Sequence, residues 1–417
     1  MATQVVNSDI SGPGIRVALG TVDDLWVGRS GLIVSTTNSD AIVGTGSDHS
    51  VHIEGAVSGF FGVVLGDDQA TDARNSVVIA STGVVYGSAY GVYMIGSSSN
   101  LTNFGMINGT VAMSGVGPGI SRLYNGGDIF SDAQGIVRSG SETLSCTNTG
   151  TIRGLVEAYV SDGFTAIDLI RNRGDMTGDI RLGGGNDSYD GRGGLVDGTV
   201  FGEAGNDTFR PGGGIELFDG GAGVDTLDFR STSGVRVWLD GSGLNTGSAE
   251  GDDYVRIETV LGSARGADVL VGDAANNVLR GFGGADTLAG GSGADALIGG
   301  AGIDLVTGGL GDDSFYFERP GDGGDVIGDF AAVVGNNDGF RFSAAGFGGG
   351  LVAGALPATQ FQSRADNLAQ DGDDRFIFRT TDQTLWFDGN GNGAGGLLLV
   401  ADLQTGALVT AADILIY

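Results

Sequence analysis

The chain contains no lysine. All 21 basic residues are arginine, set against 51 Asp and Glu, for a formal net charge of −30 over 417 residues. So acidic a balance argues against nucleic acid or an anionic membrane as the partner of the whole chain, because both demand a surplus of cations. The single cysteine, Cys146, excludes an intramolecular disulfide. A secreted protein of this size would then rest on packing or metal instead. Only two histidines are present, His49 and His52, in Ser47-Asp-His-Ser-Val-His-Ile. Their H-x-x-H spacing lacks the glutamate of the H-E-x-x-H zinc motif, so they read as loop and strand residues. No segment is apolar for long enough to span a membrane as a helix. The opening Met1-Ala-Thr-Gln-Val-Val lacks a basic n-region and an apolar h-region, and no cleaved N-terminal signal peptide is expected.

What the chain has in abundance is glycine, 82 residues against 5 prolines, and the glycine is periodic. Asp268, Asn277, Asp286, Asp295, Asp304 and Asp313 follow one another at nine-residue steps. Around them runs Gly281-Phe-Gly-Gly-Ala-Asp-Thr-Leu, then Gly290-Gly-Ser-Gly-Ala-Asp-Ala-Leu, Gly299-Gly-Ala-Gly-Ile-Asp-Leu-Val and Gly308-Gly-Leu-Gly-Asp-Asp-Ser-Phe. This is a G-G-x-G-x-D-x-U-x nonapeptide, with U large and apolar, and it predicts a parallel β-roll that binds Ca²⁺. Six residues turn and three form a strand, so two nonapeptides close one coil and each loop stacks on the loop eighteen residues on. Leu288, Leu297, Val306 and Phe315 should point inward.

Hard oxygen ligands suit calcium. The expected ligands are the sixth-position carboxylates of Asp268, Asp286, Asp295, Asp304 and Asp313, together with turn carbonyls at Gly281, Gly283, Gly290, Ser292, Gly299, Ala301, Gly308 and Leu310. Asn277 stands where Asp is expected and Ala275 replaces a motif glycine, which predicts weaker binding there. A weaker block precedes, with Asp187, then Gly202 and Asp207, then Gly220 and Asp225, and with Glu216 at an intermediate position. The step from Asp187 to Asp207 is twenty residues, so the register slips near 191–200. Asp325 and Asp329 close the series as further candidate ligands. Residues 181–417 hold 34 acids and 13 arginines against 17 and 8 in 1–180, net −21 and −9. Such self-repulsion predicts a C-terminal part that stays expanded until several Ca²⁺ ions arrive.

These repeats, with Ile257-Glu-Thr-Val-Leu-Gly, Leu270-Val-Gly-Asp-Ala-Ala-Asn-Asn and Gly324-Asp-Val-Ile-Gly-Asp-Phe, resemble the RTX (repeats-in-toxin) proteins of Gram-negative bacteria. The end of the chain, Leu385-Trp-Phe-Asp-Gly-Asn-Gly-Asn and Ala412-Asp-Ile-Leu-Ile-Tyr, is similar to the family's end as well. The resemblance implies export by the type I secretion machinery on an uncleaved C-terminal signal, folding on calcium outside the cell, and an extracellular or cell-surface location. It implies little about activity, because many cargoes carry such a tail.

The N-terminal part repeats more loosely. Asn103-Phe-Gly-Met-Ile, Asn125-Gly-Gly-Asp-Ile, Asn148-Thr-Gly-Thr-Ile and Asn172-Arg-Gly-Asp-Met share N-x-G-x-[IM], at intervals of 22, 23 and 24 residues. A repeat of that length without helical periodicity predicts coils of a parallel β-helix, with the asparagines stacked as a ladder and the glycines at corners. A β-sandwich fits less well, since its strands would not share a register over seven units. The expected fold is therefore all-β: a parallel β-solenoid in which a right-handed β-helix of about seven coils (1–180) continues into an RTX β-roll (181–330). An insertion at 229–260 carries the strand-like Val235-Arg-Val-Trp-Leu. A C-terminal β-rich cap (331–417) bears the secretion signal.

Parallel β-helices joined to RTX modules occur in polysaccharide-modifying enzymes such as mannuronan C5-epimerases and lyases. This sequence offers no lysine base, no epimerase-like tetrad around His49 and His52, no G-x-S-x-G and no Cys–His dyad. Tyr86, Tyr90 and Tyr93 cluster in one coil, where packing is the simpler reading. No catalytic residue is assigned. A secreted calcium-dependent structural protein of a surface layer, filament or biofilm matrix is expected, self-associating through the unpaired strand edge of residues 2–19. A lyase- or epimerase-like enzyme, or an adhesin holding extracellular polysaccharide or a cell surface, is the alternative. Asp388-Gly-Asn-Gly-Asn-Gly starts like an EF-hand loop, but Leu399 stands at its twelfth position, so an Asn-Gly hairpin turn competes with a weak calcium site there.

Overall fold

Short runs alternating between apolar and polar residues, broken by glycine corners, dictate strands that bury one face. The computed structural model describes residues 3–20, 23–68, 71–162, 165–333, 335–393 and 395–417; Ala2 of the expected N-terminal edge lies outside the described residues. Among the described residues the one α-helix is a single turn, Ala344–Phe347. The chain divides into two compact units, the first reaching Asp225 and taking in Tyr254–Arg256, the second comprising 226–253 and 257–417. The change of repeat near residue 180 lies within the first unit.

The first unit is a stack of parallel coils. One sheet pairs, in order, Thr3–Val6, Asp24–Val27, Ser50–Ile53, Ser76–Ile79, Asn100–Asn103, Ile120–Asn125, Thr143–Asn148, Asp168–Asn172, Ser188–Asp190 and Thr208–Arg210. Leu25, Val51, Val77, Leu101, Leu123, Cys146, Ile170, Tyr189 and Phe209 form one inward column and are buried. In the second sheet Ile33, Val57, Val85, Ile107, Ile129, Ile152 and Met176 form another. A one-residue slip would turn every member of such a column to water. At about 1.5–3 kcal/mol per large apolar side chain, that fixes the register.

The asparagines stack as the repeat predicts. Asn103 Nδ2 donates to Asn125 Oδ1 (2.8 Å), Asn125 Nδ2 to Asn148 Oδ1 (2.8 Å) and Asn148 Nδ2 to Asn172 Oδ1 (2.9 Å). All four are fully buried. The motif glycine two residues on is needed because successive corners touch: a Cβ on Gly127, Gly150 or Gly174 would lie 2.0–2.1 Å from the carbonyl oxygen of Gly105, Gly127 or Gly150. In the preceding coils Val27, Ile53 and Ile79 hold the same register position.

The remaining singular residues take packing roles. His49 is buried, its ring nitrogens against the carbonyls of Thr45 (2.9 Å) and Asp23 (3.3 Å). His52 lies on Trp26 with ring centroids 4.3 Å apart. Tyr90 and Tyr93 stack at 5.3 Å, while Tyr86 is exposed. Burial pushes the Cys146 thiol up to about 12, which leaves it inert at neutral pH.

In the second unit one parallel sheet runs through Thr226–Asp228, Thr259–Leu261, Val278–Gly283, Ala296–Ala301, Ser314–Phe317, Gly339–Phe342 and Ile414–Ile416. The other runs through Arg236–Trp238, Val269–Val271, Thr287–Ser292, Leu305–Leu310, Asp325–Ile327 and Leu397–Leu403. The Val235-Arg-Val-Trp-Leu strand thus forms. Leu288, Leu297, Val306 and Phe315 point inward and are buried. Past the last repeat the geometry changes: Leu397–Leu403, Thr384–Asp388 and Phe376–Arg379 pair antiparallel. Here Phe317, Phe340, Phe342, Phe347, Phe376 and Phe387 form one aromatic core.

Candidate metal centre

Stacking at eighteen residues brings like loop positions together. Phe282 pairs with Gly300 and Gly283 with Ala301 on one side of the roll; Gly291 pairs with Gly309 and Ser292 with Leu310 on the other. The turn main chains are thus in register as well as the strands. Gly284 N–H donates to Ala301 O (2.9 Å) and Gly293 N–H to Leu310 O (2.8 Å).

Each sixth-position carboxylate reaches the main chain of the coil before it. The amides of Asp268, Asp286 and Asp304 donate to Oδ1 of Asp286 (2.8 Å), Asp304 (2.8 Å) and Asp325 (3.0 Å). On the opposite side those of Asn277, Asp295 and Asp313 donate to Oδ1 of Asp295 (2.7 Å), Asp313 (2.9 Å) and Asp338 (3.1 Å). A third ladder lies in the first unit, where Asp168, Asp187 and Asp207 donate to Oδ1 of Asp187 (2.7 Å), Asp207 (2.7 Å) and Asp225 (2.8 Å).

One oxygen of each carboxylate is thereby used; the other accepts from Ser263 N–H at Asp268 (2.7 Å) and from Ala331 N–H at Asp338 (2.8 Å). Oδ2 of Asp187, Asp207, Asp286, Asp295, Asp304 and Asp313 is buried with no hydrogen-bond partner. In all of these but Asp187 it lies over the first glycine of its own loop. A Cβ on Gly281, Gly290, Gly299, Gly308 or Gly202 would sit 2.2–2.3 Å from it, and one on Gly220 would sit 2.5 Å from Asp225 Oδ2. Glycine at the loop start is therefore a matter of space beside the carboxylate. Burial, partly offset by the donating amides, raises the carboxyls: Asp187 and Asp325 to about 8, Asp286 to about 7, Asp207, Asp295 and Asp338 to about 6. Asp268, Asp304 and Asp313 are raised for the same reason.

A buried anionic oxygen without a donor asks for a cation. The donor set is oxygen alone, which fits calcium. Among the described residues no three His, Cys, Asp or Glu side chains gather at one point, so the further ligands would be main-chain carbonyls of the stacked loops. Calcium bound there would supply charge neutralisation and a cross-link between coils.

Asp329 sits differently. Its two oxygens accept from the amides of Gly308 (2.9 Å) and Gly309 (2.7 Å), closing the loop that starts there. At Asp388 the chain makes a hairpin between Thr384–Asp388 and Leu397–Leu403, with Asp388 Oδ1 accepting from Asn390 N–H (3.0 Å). Two rungs escape the motif. Asp168 precedes Asp187 by 19 residues and Asp338 follows Asp313 by 25, and neither stands in a G-G-x-G loop, so coil length was the only available signal. Asp168 has its own cation: Arg138 Nε lies 3.3 Å from its Oδ1, both side chains being buried. Burial still raises the Asp168 carboxyl, to about 6, against the pull of Arg138.

The family described as RTX calcium-binding nonapeptide repeat (four copies) matches residues 197–215, 264–297 and 290–319. Among solved structures the chain is similar to the solution structure of the AlgE6R3 subunit from the Azotobacter vinelandii mannuronan C5-epimerase. That match has 29% identity and a TM-score of 0.24, over 36% of this chain and 80% of that one. No curated protein matches. With loops stacked at eighteen residues and an aspartate buried at the sixth position of each, the chain carries RTX calcium-binding nonapeptide repeats.

Proposed function

We propose that the protein is a secreted, calcium-dependent structural protein that self-associates outside the cell into a filament, surface layer or biofilm matrix. The observation that carries this reading is the set of buried Asp Oδ2 atoms with no donor. At the calcium levels of the cytosol, sites with Kd on the order of 10⁻⁴–10⁻³ M stay empty and the second unit stays unfolded and fit for type I export; outside, calcium folds it. Several Ca²⁺ ions bind, held by Asp187, Asp207, Asp225, Asp268, Asp286, Asp295, Asp304, Asp313 and Asp325 with carbonyls of their loops, Asp329 closing the last.

Self-association is supported by the first coil. Among the described residues, Thr3–Val6, Asp9–Gly12 and Val17–Leu19 each pair on one side only, with Asp24–Val27, Leu32–Ser35 and Ile42–Gly44. Val5 and Ile15 are exposed there. Such an edge is a template for a further strand. Circular dichroism and light scattering of the full chain, first with chelator and then with millimolar calcium, test both parts. Gain of β-structure followed by growth into particles visible by electron microscopy is expected. A chain already folded with chelator sinks the calcium part, and one that folds but stays monomeric sinks the assembly part.

A further inference from the structure

The second sheet of the second unit turns a largely apolar face to solvent. Its register sets Arg236, Val269, Thr287, Leu305, Val326 and Asp402 in one outward column. Trp238, Val271, Ala289 and Thr307 stand in the next. Leu305 is 45% exposed and Val326 40%, while their inward neighbours Val306 and Ile327 are buried. Ile303, two residues before Leu305, is exposed as well. Single exposed apolar residues are ordinary. Here the strands Val269–Val271, Thr287–Ser292 and Leu305–Leu310 hold no charged residue at all, on a chain of net charge −30. A continuous stripe of that kind marks a contact surface.

The column is charged only at its ends, Arg236 at one and Asp402 at the other, both exposed. Five strand spacings of about 4.8 Å set them about 24 Å apart. Each residue between them directly follows a ladder carboxylate: Val269 after Asp268, Thr287 after Asp286, Leu305 after Asp304 and Val326 after Asp325. The face is therefore assembled only when that ladder is stacked.

We propose that this face packs on the same face of a second copy of the chain, about a two-fold axis parallel to the strands and passing between Thr287 and Leu305. This rests on the self-association proposed above and gives it a contact surface separate from the first-coil edge. Such an axis reverses one column over the other. Arg236 then meets the second copy's Asp402, and the symmetry makes that pair twice. Val269 meets the second copy's Val326, and Thr287 its Leu305. Aligned sheets pack face to face about 10 Å apart. A two-fold along the stack of strands would instead set arginine on arginine and aspartate on aspartate, which like charge rejects. An anionic polymer suits the face less well, since it meets Asp402 and a row of apolar side chains. The contact is modest in size and so weak in a single pair; it gains strength where chains are already held together.

Full chains carrying Val269→Cys or Val326→Cys, treated with a bis-maleimide that spans about 10 Å, test this in millimolar calcium. The native thiol is buried at Cys146 and stays out of the reaction. A mixture of the two variants should give a covalent dimer. Each variant alone should not, because like positions are offset sideways by about 14 Å. Chelator should abolish the dimer. Adding Leu305→Glu or Arg236→Asp should cut its yield about tenfold, and Arg236→Asp with Asp402→Arg should restore it. Circular dichroism checks that the calcium transition of each variant is unchanged. No dimer in the mixture, equal dimer from either variant alone, or an unaffected Leu305→Glu chain each overturns the proposal. If wild-type particles still grow while the mixture gives no dimer, this surface fails and the first-coil edge stands.

Discussion

Two kinds of ladder of nearly the same side-chain shape run through this chain, one of amides and one of carboxylates. In the first unit Asn103, Asn125, Asn148 and Asn172 hand a hydrogen bond from coil to coil. In the second, Asp286, Asp304 and Asp325 stack at similar spacing but take their bonds from main-chain amides. The contrast lies in the inventory of each group. A primary amide both donates and accepts, so a column of them satisfies itself; a carboxylate only accepts, and at Asp286 and Asp304 the second oxygen is left over. The amide coils need nothing from solution, whereas the carboxylate coils need a cation. Asp168 lies between these cases, with the buried guanidinium of Arg138 as the cation and no ion required.

Calcium removal should separate the two ladders most. With chelator, hydrogen exchange over 262–338 is expected to rise to the level of an unfolded chain, while amides of 100–150 stay protected. Equal loss in both would break the contrast. Next in size is Arg138→Met, which strands a buried Asp168. Breaking such a pair costs about 3–5 kcal/mol, to be seen as a lower urea midpoint for the first unit at any calcium level. The companion change Asp168→Asn in that variant should restore much of it.

Asn125→Leu should cost about 1–3 kcal/mol, because the amides on either side lose a partner. Changing all four asparagines to Leu or Ile should cost less than the sum of the singles, as the aliphatic residues Ile53 and Ile79 already fill that register. Denaturation of the single and quadruple variants measures this, and strict additivity would count against a coupled ladder. In the roll, Gly299→Ala should raise the calcium midpoint by pressing a methyl against Asp304 Oδ2, 2.3 Å from the ideal Cβ. A titration followed by circular dichroism reads it.

The smallest effect is with pH. A carboxyl raised from about 3.9 unfolded binds more protons in the folded state. Without calcium its contribution is therefore fully present below about pH 4 and lost as pH rises through the folded values, about 6 for Asp295, 7 for Asp286 and 8 for Asp325. Calcium must displace those protons, so the calcium midpoint should fall steadily between about pH 5 and 8. A midpoint flat over that window would mean the carboxylates are already ionised.

Much of the candidate site was readable because the nonapeptide ties chemistry to position. Glycine at the loop start and aspartate five residues on stand at fixed offsets, and Gly281 with Asp286 behave alike in sequence and in space. The asparagine ladder was readable for the same reason, its glycines being forced by carbonyls 2.0–2.1 Å away. Asp338 was not readable, since a 25-residue excursion separates it from Asp313 and no local motif marks it. Arg138 was hidden further still. A lone arginine in Gly135-Ile-Val-Arg-Ser-Gly looks like any outward residue of a strand, and only stacking turns it inward onto Asp168.

The sequence by itself determined which loops turn, which residues face inward and that oxygen ligands recur every nine residues, because those depend on spacing along the chain. Tertiary structure decided which atoms are left without a partner. Whether Asp304 Oδ2 lacks a donor and whether Arg138 meets Asp168 are settled by what stands beside them in the neighbouring coil. That neighbour is some twenty residues away along the chain and about 4.8 Å away through space.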